Sequence, residues 1–309
     1  MTLGVVALAV ALGLDGLVGE PPERVHPVAW FGRAVAPVDA EWRRPRLVGS
    51  TVAVALPGLA ALAIGTLVFV VGGDRPLAAA GLAGFGLFVS TSLRRLLERT
   101  GEVVTLSKRD PAAARERLRA LAGRDASDLT PGQVRSAAVE SLAENLADGL
   151  VAPLVAYTAV FVATTLAGAG PVVALAAGAG GAAWVKAVNT LDSMLGYRDT
   201  PVGWAPARLD DAVMWLPARL SALVLAVVAR SPGALVAAAR WTDAVPSPNS
   251  GWPMGTLAAA LAVRLEKPGV YVLNPDRSLP DAGTARVAVR QVAVAGLLAY
   301  VLAGVVTWS

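Results

Sequence analysis

One stretch of the chain, residues 149–185, reads GLVAPLVAYTAVFVATTLAGAGPVVALAAGAGGAAWV and carries no charged side chain over 37 positions. A single α-helix of that length would measure about 55 Å, nearly twice the hydrocarbon thickness of a bilayer, which is about 30 Å. The natural turn is Gly168-Ala169-Gly170-Pro171, because glycine accepts unusual dihedrals and proline begins a helix more readily than it continues one. The stretch therefore predicts a hairpin of two membrane-spanning helices.

Three further runs lack charge: 47–73, 77–93 and 291–309, which are 27, 17 and 19 residues long. These lengths are typical of membrane-spanning helices. The composition agrees, since 55% of the 309 residues are hydrophobic, 16% are charged and the mean hydropathy is +0.57. The sequence predicts an all-α fold, a polytopic integral membrane helical bundle with cytoplasmic helical loops, in which residues 1–309 form a single membrane domain. The apolar segment Leu3 to Val18 is expected to be retained rather than cleaved as a signal.

Positive charge predicts the orientation of this bundle. A second hairpin turn at 72–76 joins the first two runs, so each hairpin returns the chain to the same face. The loops 20–46, 94–148 and 186–211 lie on that face and hold 5, 10 and 3 of the 27 Lys and Arg residues. Since positively charged loops stay inside the cell, we expect this face, which is also the active face, to be the cytoplasmic side of the cell membrane.

The loop at about 94–148 is predicted to be a helical insertion. Asp110-Pro111 and Thr130-Pro131 each pair an N-cap residue with a proline at the first helical position, and Thr130 with Gln133 makes a capping box. A second polar segment, at about 230–286, is also expected on the cytoplasmic side.

Whether the segment 212–229 crosses the membrane stays open. It is apolar but holds Pro217 and Arg219 near its middle. An arginine at the bilayer centre costs about 2.5 kcal/mol or more, so a tilted, interfacial or re-entrant helix is favoured over a free span.

Several classes of protein are excluded by what the chain lacks. It has no cysteine and a single histidine, His26, so thiolate metal sites, cysteine nucleophiles and histidine-rich metal centres are ruled out. It has no P-loop, no GxGxxG after a strand, no GxSxG and no HExxH. The net charge of +4 resides in loops between apolar runs, which indicates membrane orientation, and no nucleic-acid partner is expected.

An acidic stripe follows Thr130. Glu140, Glu144 and Asp148 are spaced i, i+4 on one predicted helix face, with Asn145 beside them. Carboxylate and amide oxygens suit Mg²⁺, which would relieve the repulsion of like charges. The alternative is a solvated acidic face that pairs with the helix of Arg115, Arg117 and Arg119.

A second polar group stands where the apolar hairpin ends. Lys186, Asn189 and Asp192 share a helix face, and a cation, an amide and an acid at an apolar boundary suit phosphate and metal binding. The alternative is a membrane-interface anchor with a snorkelling Lys186. Two adjacent acids, Asp210 and Asp211, follow.

Two turn-rich segments come later in the chain. Residues 247–253, SPNSGWP, form a polar loop with an aromatic, and Glu266-Lys267-Pro268-Gly269 is predicted as a charged turn.

Taken together, these segments resemble the adenosylcobinamide-phosphate synthase family of cobalamin biosynthesis, the CobD/CbiB membrane proteins. The resemblance covers almost the whole chain in order, through the stretches DGLVGEPPERVHPVAWFG, VESLAENLADGLVAP, KAVNTLDSMLGYR, GWAPARLDD, SPNSGWPMG and EKPGVYVLN. Glu20 stands where the family pattern has aspartate, which keeps a carboxylate. Asn274 stands where glycine is expected, so the role of the last loop stays open.

The resemblance implies ATP-dependent amide ligation of adenosylcobyric acid with 1-amino-2-propanol or its O-phosphate. In our hypothesis the metal ligands for Mg²⁺ are Glu140, Glu144, Asn145 and Asp148. The catalytic residues are Lys186, Asp192, Asp210 and Asp211. Substrates and phosphates are bound by His26, Asn189, Arg198, Arg208, Ser247, Asn249, Trp252 and Lys267. His26 also has a structural alternative, as a hydrogen-bonding residue beside a proline.

Other functions and partners stay open. A transporter or a corrinoid-binding scaffold without catalysis is the alternative, because boundary polar residues mark transport pathways as readily as active sites. The bilayer and other cobalamin-pathway enzymes are the expected partners. The run Gly81, Gly84 and Gly86 permits close helix packing, either within one chain or in a homo-oligomer.

Overall fold

A computed structural model describes residues 2–122, 125–197 and 200–308, and this part of the chain is helical apart from one short two-stranded sheet. The helices are α1 Leu3–Leu17, α2 Pro27–Val35, α3 Pro45–Gly72, α4 Pro76–Ser90, α5 Leu93–Arg109, α6 Pro111–Ala122, α7 Pro131–Leu146, α8 Ala152–Leu166, α9 Pro171–Leu195, α10 Trp204–Val213, α11 Trp215–Val228, α12 Gly233–Ala238, α13 Gly251–Ala260 and α14 Ala282–Trp308. The strands are β1 Leu265–Lys267 and β2 Tyr271–Leu273, which pair antiparallel.

The chain divides into two compact units. The first comprises residues 1–92, 148–214 and 299–309, and the second comprises 93–147 and 215–298. The predicted insertion at 94–148 and the polar segment at 230–286 both fall almost entirely within the second unit.

In the first unit, α9 is the central helix and packs against α3, α4 and α8, while α1 packs against α4. The core is built mainly from alanine and glycine, which let helix backbones approach closely where there is no water to drive association. Leu191 and Leu195 of α9 pack with Val35 and Ala53 in a cluster that anchors α2 and α3 to the end of α9.

In the second unit, α5, α6 and α7 form one helical group, and α11, α12 and α13 form another. Val103, Leu118, Val134 and Ala138 are buried together in the core of the first group. The sheet packs through β1 against α7.

Five segments are long and apolar enough to cross a membrane: 45–72, 76–109, 131–166, 171–195 and 282–308. The chain is an all-α polytopic membrane protein, as predicted. Both hairpins are confirmed, since α3 ends at Gly72 before α4 begins at Pro76, and α8 ends at Leu166 before α9 begins at Pro171.

The predicted helix starts in the insertion are confirmed. α6 begins at Pro111, and α7 begins at Pro131 behind a complete capping box, in which Gln133 and Thr130 bond each other's backbone N–H. A satisfied N-terminus of this kind contributes about 1 kcal/mol to a helix.

Two segments differ in detail from the sequence interpretation. Glu266 and Lys267, expected in a charged turn, belong to β1, and the turn itself follows them. The segment 212–229 is broken at Met214, which separates α10 from α11, and it crosses as a sixth span only if the two helices count together.

Gly84 marks the closest approach of α1 and α4. A Cβ atom at this position would lie 2.6 Å from the Ala7 carbonyl oxygen and 2.7 Å from the Val10 Cβ, both on α1. Gly81, one turn earlier on α4, has nothing within 4 Å of the same point. Close packing around this glycine run is therefore realised within one chain.

We predict that Gly84→Ala destabilises the protein and that Gly81→Ala does not. The methyl group of Gly84→Ala would force α1 from α4, at about 1–3 kcal/mol. Gly81→Ala adds only helix propensity, worth up to about 1 kcal/mol in the opposite direction. Thermal denaturation of the two detergent-purified variants measures the difference. Equal midpoints would show that the α1–α4 contact does not limit stability.

Candidate functional site

A cluster of polar side chains lies near the C-terminal end of α9 in the first unit. Lys186 and Asn189 extend from α9, Asp148 lies in the turn before α8, Glu20 follows α1, and His26 caps α2. All five are partly buried. We call these five residues the Lys186 cluster.

Charge and hydrogen bonding connect the members of the Lys186 cluster. The Asn189 side-chain amide donates to a carboxylate oxygen of Asp148 over 3.3 Å. The Lys186 ammonium interacts electrostatically with Asp148 and, less strongly, with Glu20. One cation thus faces two carboxylates, a balance that a half-buried lysine at an apolar boundary needs.

Asp148 owes its position to an irregular helix. Ala147–Val151 form a π-helical turn between α7 and α8. π-Turns are rare and are frequent at functional sites, because the extra residue redirects side chains and frees backbone groups. Here the Gly149 carbonyl accepts a hydrogen bond of 3.1 Å from the Ser92 backbone N–H, at the point where α4 has ended.

The end of α4 is held by side chains rather than by continued helix. The Thr91 hydroxyl bonds the Leu87 carbonyl over 3.1 Å and lies 3.3 Å from the Tyr300 hydroxyl. Broken helices at membrane depth are tolerated where side chains or neighbouring backbone satisfy the freed groups. The first unit therefore places a helix end and a π-turn side by side, next to the Lys186 cluster.

An apolar cavity of about 210 Å³ opens beside Lys186. Its polar lining consists of Lys186, Ser90 and Thr190, and the rest is apolar side chain from α2, α3, α4 and α9. The lysine stem is thus packed against hydrocarbon while its ammonium stays with the carboxylates, which is the usual arrangement of an amphipathic side chain.

His26 has a defined structural role. Its Nδ1 accepts a 3.2 Å hydrogen bond from the Val28 N–H and so caps α2, which begins at Pro27. Burial lowers the pKa of His26 from its usual 6.5, the Lys186 cation lowers it further, and the Glu20 carboxylate opposes both. The structural alternative for His26 is thus realised, within reach of two charged members of the cluster.

Asp192 lies one helical turn beyond Asn189 on α9, and its charge interacts with that of Asp211 on α10. The Asp192 carboxylate packs so closely on Gly196 that a Cβ atom there would collide with it. The first unit therefore contains two neighbouring carboxylates, Asp192 and Asp211, besides the Lys186 cluster.

The remaining predicted residues of the first unit lie on or near α10. Asp210 is partly buried, and Arg208 is exposed. Arg198 lies outside the described residues.

Glu140 lies in the second unit and is fully buried there. Its carboxylate accepts hydrogen bonds from the Ser136 hydroxyl at 2.8 Å and the Tyr271 hydroxyl at 2.7 Å. Ser136 also accepts a bond from the Glu266 backbone N–H, and Gln133 donates to the Glu266 carboxylate over 3.0 Å. This network ties the sheet to α7, so Glu140 has a structural role.

The four residues predicted to bind magnesium fall in different units. Glu140, Glu144 and Asn145 belong to the second unit and Asp148 to the first. The Asn145 amide donates to the Ser141 carbonyl over 2.9 Å. In the part of the chain that the structure describes, no group of three or more His, Asp or Glu side chains is arranged to hold a metal ion. The four-residue metal set stays a prediction.

The arginines offered as an alternative partner for the acidic stripe have other partners. Arg115 donates to the Leu129 carbonyl, Arg117 pairs with Glu102 at 3.1 Å, and Arg119 pairs with Asp125 at 3.0 Å.

The polar loop of the second unit is an ordered structure. Asn249 is buried, and the Ser247 hydroxyl accepts hydrogen bonds from the backbone N–H groups of Asn249 and Ser250. The Arg219 guanidinium donates to the Asn249 side-chain oxygen over 3.3 Å and lies over the ring of Trp252. Lys267 lies apart from this loop, on β1.

Sequence reasoning missed several of these residues. The local sequence indicates no role for Glu20, and Tyr271 lies 131 positions from the carboxylate that it bonds. From the sequence, Arg219 indicates only a cost of membrane crossing. Its place one turn after an aromatic, in Trp215-Leu-Pro-Ala-Arg219, is the signal that could have identified it.

We predict that stability falls as the pH drops below about 6.5, through the cap of α2. The folded-state pKa of His26 lies below the unfolded value, so the unfolded state binds more protons in this window and stability rises with pH up to about 6.5. A protonated Nδ1 also cannot accept from Val28. His26→Asn keeps a capping acceptor without a titration and should remove this part of the pH dependence, whereas an unchanged pH profile would exclude His26 as its source. Thermal denaturation between pH 5 and 8 provides the measurement.

Comparisons with known proteins identify the family of the chain. The family model described as CobD/Cbib protein matches residues 8–299. The probable cobalamin biosynthesis protein CobD of Methanothrix thermoacetophila is 36% identical over 309 residues, covering 96% of this chain and 94% of the relative. Its counterpart from Methanothermobacter thermautotrophicus is 35% identical, over 87% of this chain and 86% of the relative. The cobalamin biosynthesis protein CobD of Klebsiella pneumoniae is 36% identical, over 88% and 84%.

No solved structure matches the chain significantly. The family match, which spans most of the sequence, and the near full-length relatives are sufficient for assignment: the chain belongs to the CobD/Cbib protein family.

Proposed function

We propose that this chain is an adenosylcobinamide-phosphate synthase, a ligase of cobalamin biosynthesis. It joins the free carboxyl group of adenosylcobyric acid to the amine of 1-amino-2-propanol or its O-phosphate, with ATP as the energy source. The observation that carries the proposal is the Lys186 cluster with the neighbouring Asp192 and Asp211, in a chain whose relatives are named as cobalamin biosynthesis proteins.

The chemistry requires activation of a poor acyl donor. A carboxylate does not react with an amine at a useful rate, and the chain has no cysteine to form a thioester. We infer that the substrate carboxylate attacks the γ-phosphorus of ATP and displaces ADP. The amine then attacks the acyl phosphate, forms the amide bond and releases inorganic phosphate.

Lys186 suits the stabilisation of negative charge in both steps. Its ammonium is held by Asp148 and Glu20 at the edge of an apolar cavity, where electrostatic interactions are stronger than in water. The hydrogen bond from Asn189 fixes Asp148, so the cation has a defined place before substrate binds. Preorganised charge of this kind is a large contribution to phosphoryl-transfer catalysis.

Two further tasks, magnesium binding and proton transfer, suit the carboxylates of Asp192, Asp211 and Asp210. Mg²⁺ typically takes one or two protein carboxylates and completes its shell with water and substrate phosphates, and this pair offers that number. When bound, the ion would neutralise charge on the nucleotide phosphates. Asp210, next to Asp211 in the chain, accepts the proton that the attacking amine loses, because only the neutral amine is a nucleophile.

We place this site on the cytoplasmic face of the cell membrane. The positively charged loops that adjoin it support that orientation, and so does the supply of ATP.

The reaction itself can be tested with purified protein, adenosylcobyric acid, aminopropanol phosphate, ATP and Mg²⁺, with the corrinoid mass as the readout. The proposal expects a mass increase that corresponds to amide formation and that disappears when ATP or Mg²⁺ is withheld. Tight corrinoid binding without product would instead indicate a transporter or a binding protein.

Asn189→Ala tests the organisation of the Lys186 cluster. Loss of the hydrogen bond to Asp148 should lower kcat by roughly 10²-fold, the effect typical of removing one preorganised charge-stabilising group. Ser193→Ala is the matched control, because Ser193 is exposed on the same helix and its hydroxyl bonds only the helix backbone. Equal rates for the two variants would remove the hydrogen bond between Asn189 and Asp148 from the mechanism.

A further inference from the structure

The guanidinium of Arg219, on α11, lies over two aromatic rings. Its guanidinium carbon lies 4.2 Å from the centroid of the Trp215 ring and 5.2 Å from that of Trp252 on α13. Stacking of a guanidinium on indole rings is favourable and holds the planar group in one orientation. The side chain is therefore placed before any ligand arrives.

Hydrogen bonds fix the same guanidinium along one edge. Nη1 donates to the Trp215 carbonyl at 2.7 Å and to the Asn249 side-chain oxygen at 3.3 Å. Arginine has five N–H donors, so Nε and Nη2 retain three beyond these two bonds. The fork geometry of arginine matches two oxygens of a phosphate or carboxylate.

The positive charge of Arg219 is compatible with an anionic ligand. Among the residues that the structure describes, no carboxylate forms an ion pair with Arg219, whereas Arg94, Arg117, Arg119 and Arg264 each have one. Trp215 is 55% exposed, so this pair of side chains lies at the protein surface. The loop that carries Asn249 is held by the Ser247 hydroxyl, which accepts hydrogen bonds from the backbone N–H groups of Asn249 and Ser250.

We propose that Arg219, which lies over the rings of Trp215 and Trp252 and is fixed by Asn249, is a binding site for a phosphate group. The guanidinium provides charge and a two-donor edge, and the indole rings and Asn249 hold it in place. The choice of phosphate rests on the proposed function, which requires a phosphorylated substrate. The same chemistry also fits the phosphate of an anionic lipid headgroup.

Binding of inorganic tripolyphosphate tests the site independently of catalysis. Titration calorimetry would use the full chain in phosphatidylcholine nanodiscs, which carry no net charge. We expect Arg219→Gln to weaken binding at least tenfold. Arg219→Lys should weaken it about three- to tenfold, because lysine keeps the charge but loses the fork and the stack. Arg240→Gln is the control, since Arg240 is an exposed cation of the same unit, and its affinity should be that of the wild type.

Three outcomes distinguish the possibilities. Wild-type affinity in folded Arg219→Gln would overturn the proposal, and wild-type affinity in Arg219→Lys would show that only charge is recognised and would overturn the stacked-fork geometry. If phosphatidylglycerol nanodiscs abolish tripolyphosphate binding at equal ionic strength, the bound phosphate is that of the lipid. Otherwise it is that of a soluble ligand.

The activity assay separates this inference from the proposed function. Arg219-dependent tripolyphosphate binding in a protein that forms no amide would leave the binding site in place and refute the ligase. Amide formation, together with unchanged tripolyphosphate binding and an unchanged KM for ATP in Arg219→Gln, would support the ligase and refute the binding site.

Discussion

A half-buried lysine at the end of an apolar helix is the constraint on which the first unit depends. Lys186 must keep its ammonium near compensating charge while its stem packs against hydrocarbon. Asp148 and Glu20 provide that charge from two other parts of the chain. Leaving such a cation without a partner would cost several kcal/mol, so the elements that carry the carboxylates are held to α9.

The position of Asp148 links this constraint to the irregular backbone. A regular helix through 147–151 would direct the carboxylate elsewhere, and the π-turn redirects it toward Asn189. The π-turn also leaves the Gly149 carbonyl to a partner outside the helix. The backbone N–H of Ser92, beyond the end of α4, donates a hydrogen bond to it. The same residues therefore serve the proposed catalysis and the fold. The π-turn has a local energetic cost, which the charge interaction of Asp148 and these hydrogen bonds offset.

Much of the fold could be predicted because its causes are local in sequence. Both hairpins follow from uncharged runs interrupted by glycine and proline, and the start of α7 follows from the capping box of Thr130 and Gln133. The shared face of Lys186, Asn189 and Asp192 requires only that α9 continue past the apolar stretch. The division into two units could not be predicted, because it depends on contacts between segments far apart in the chain.

The site was predicted less completely for the same physical reason. Glu140, Glu144 and Asp148 share one face only if the α-helix is unbroken. No residue pattern in this segment predicts the π-turn that interrupts it. Glu140 is bonded by Tyr271, which no local pattern can pair with it. Arg219 appeared as a charge in an apolar segment, and only the folded chain shows the two indole rings that surround it.

In the function that we propose, the chain activates a corrinoid carboxylate by phosphorylation before the amine attacks. Adenosylcobyric acid labelled with ¹⁸O in its free carboxyl group tests this directly, by mass spectrometry of the inorganic phosphate formed during ligation. The account predicts one ¹⁸O atom in each phosphate released, because the acyl phosphate breaks between the carbonyl carbon and the bridging oxygen. Amide formation with unlabelled phosphate would contradict it.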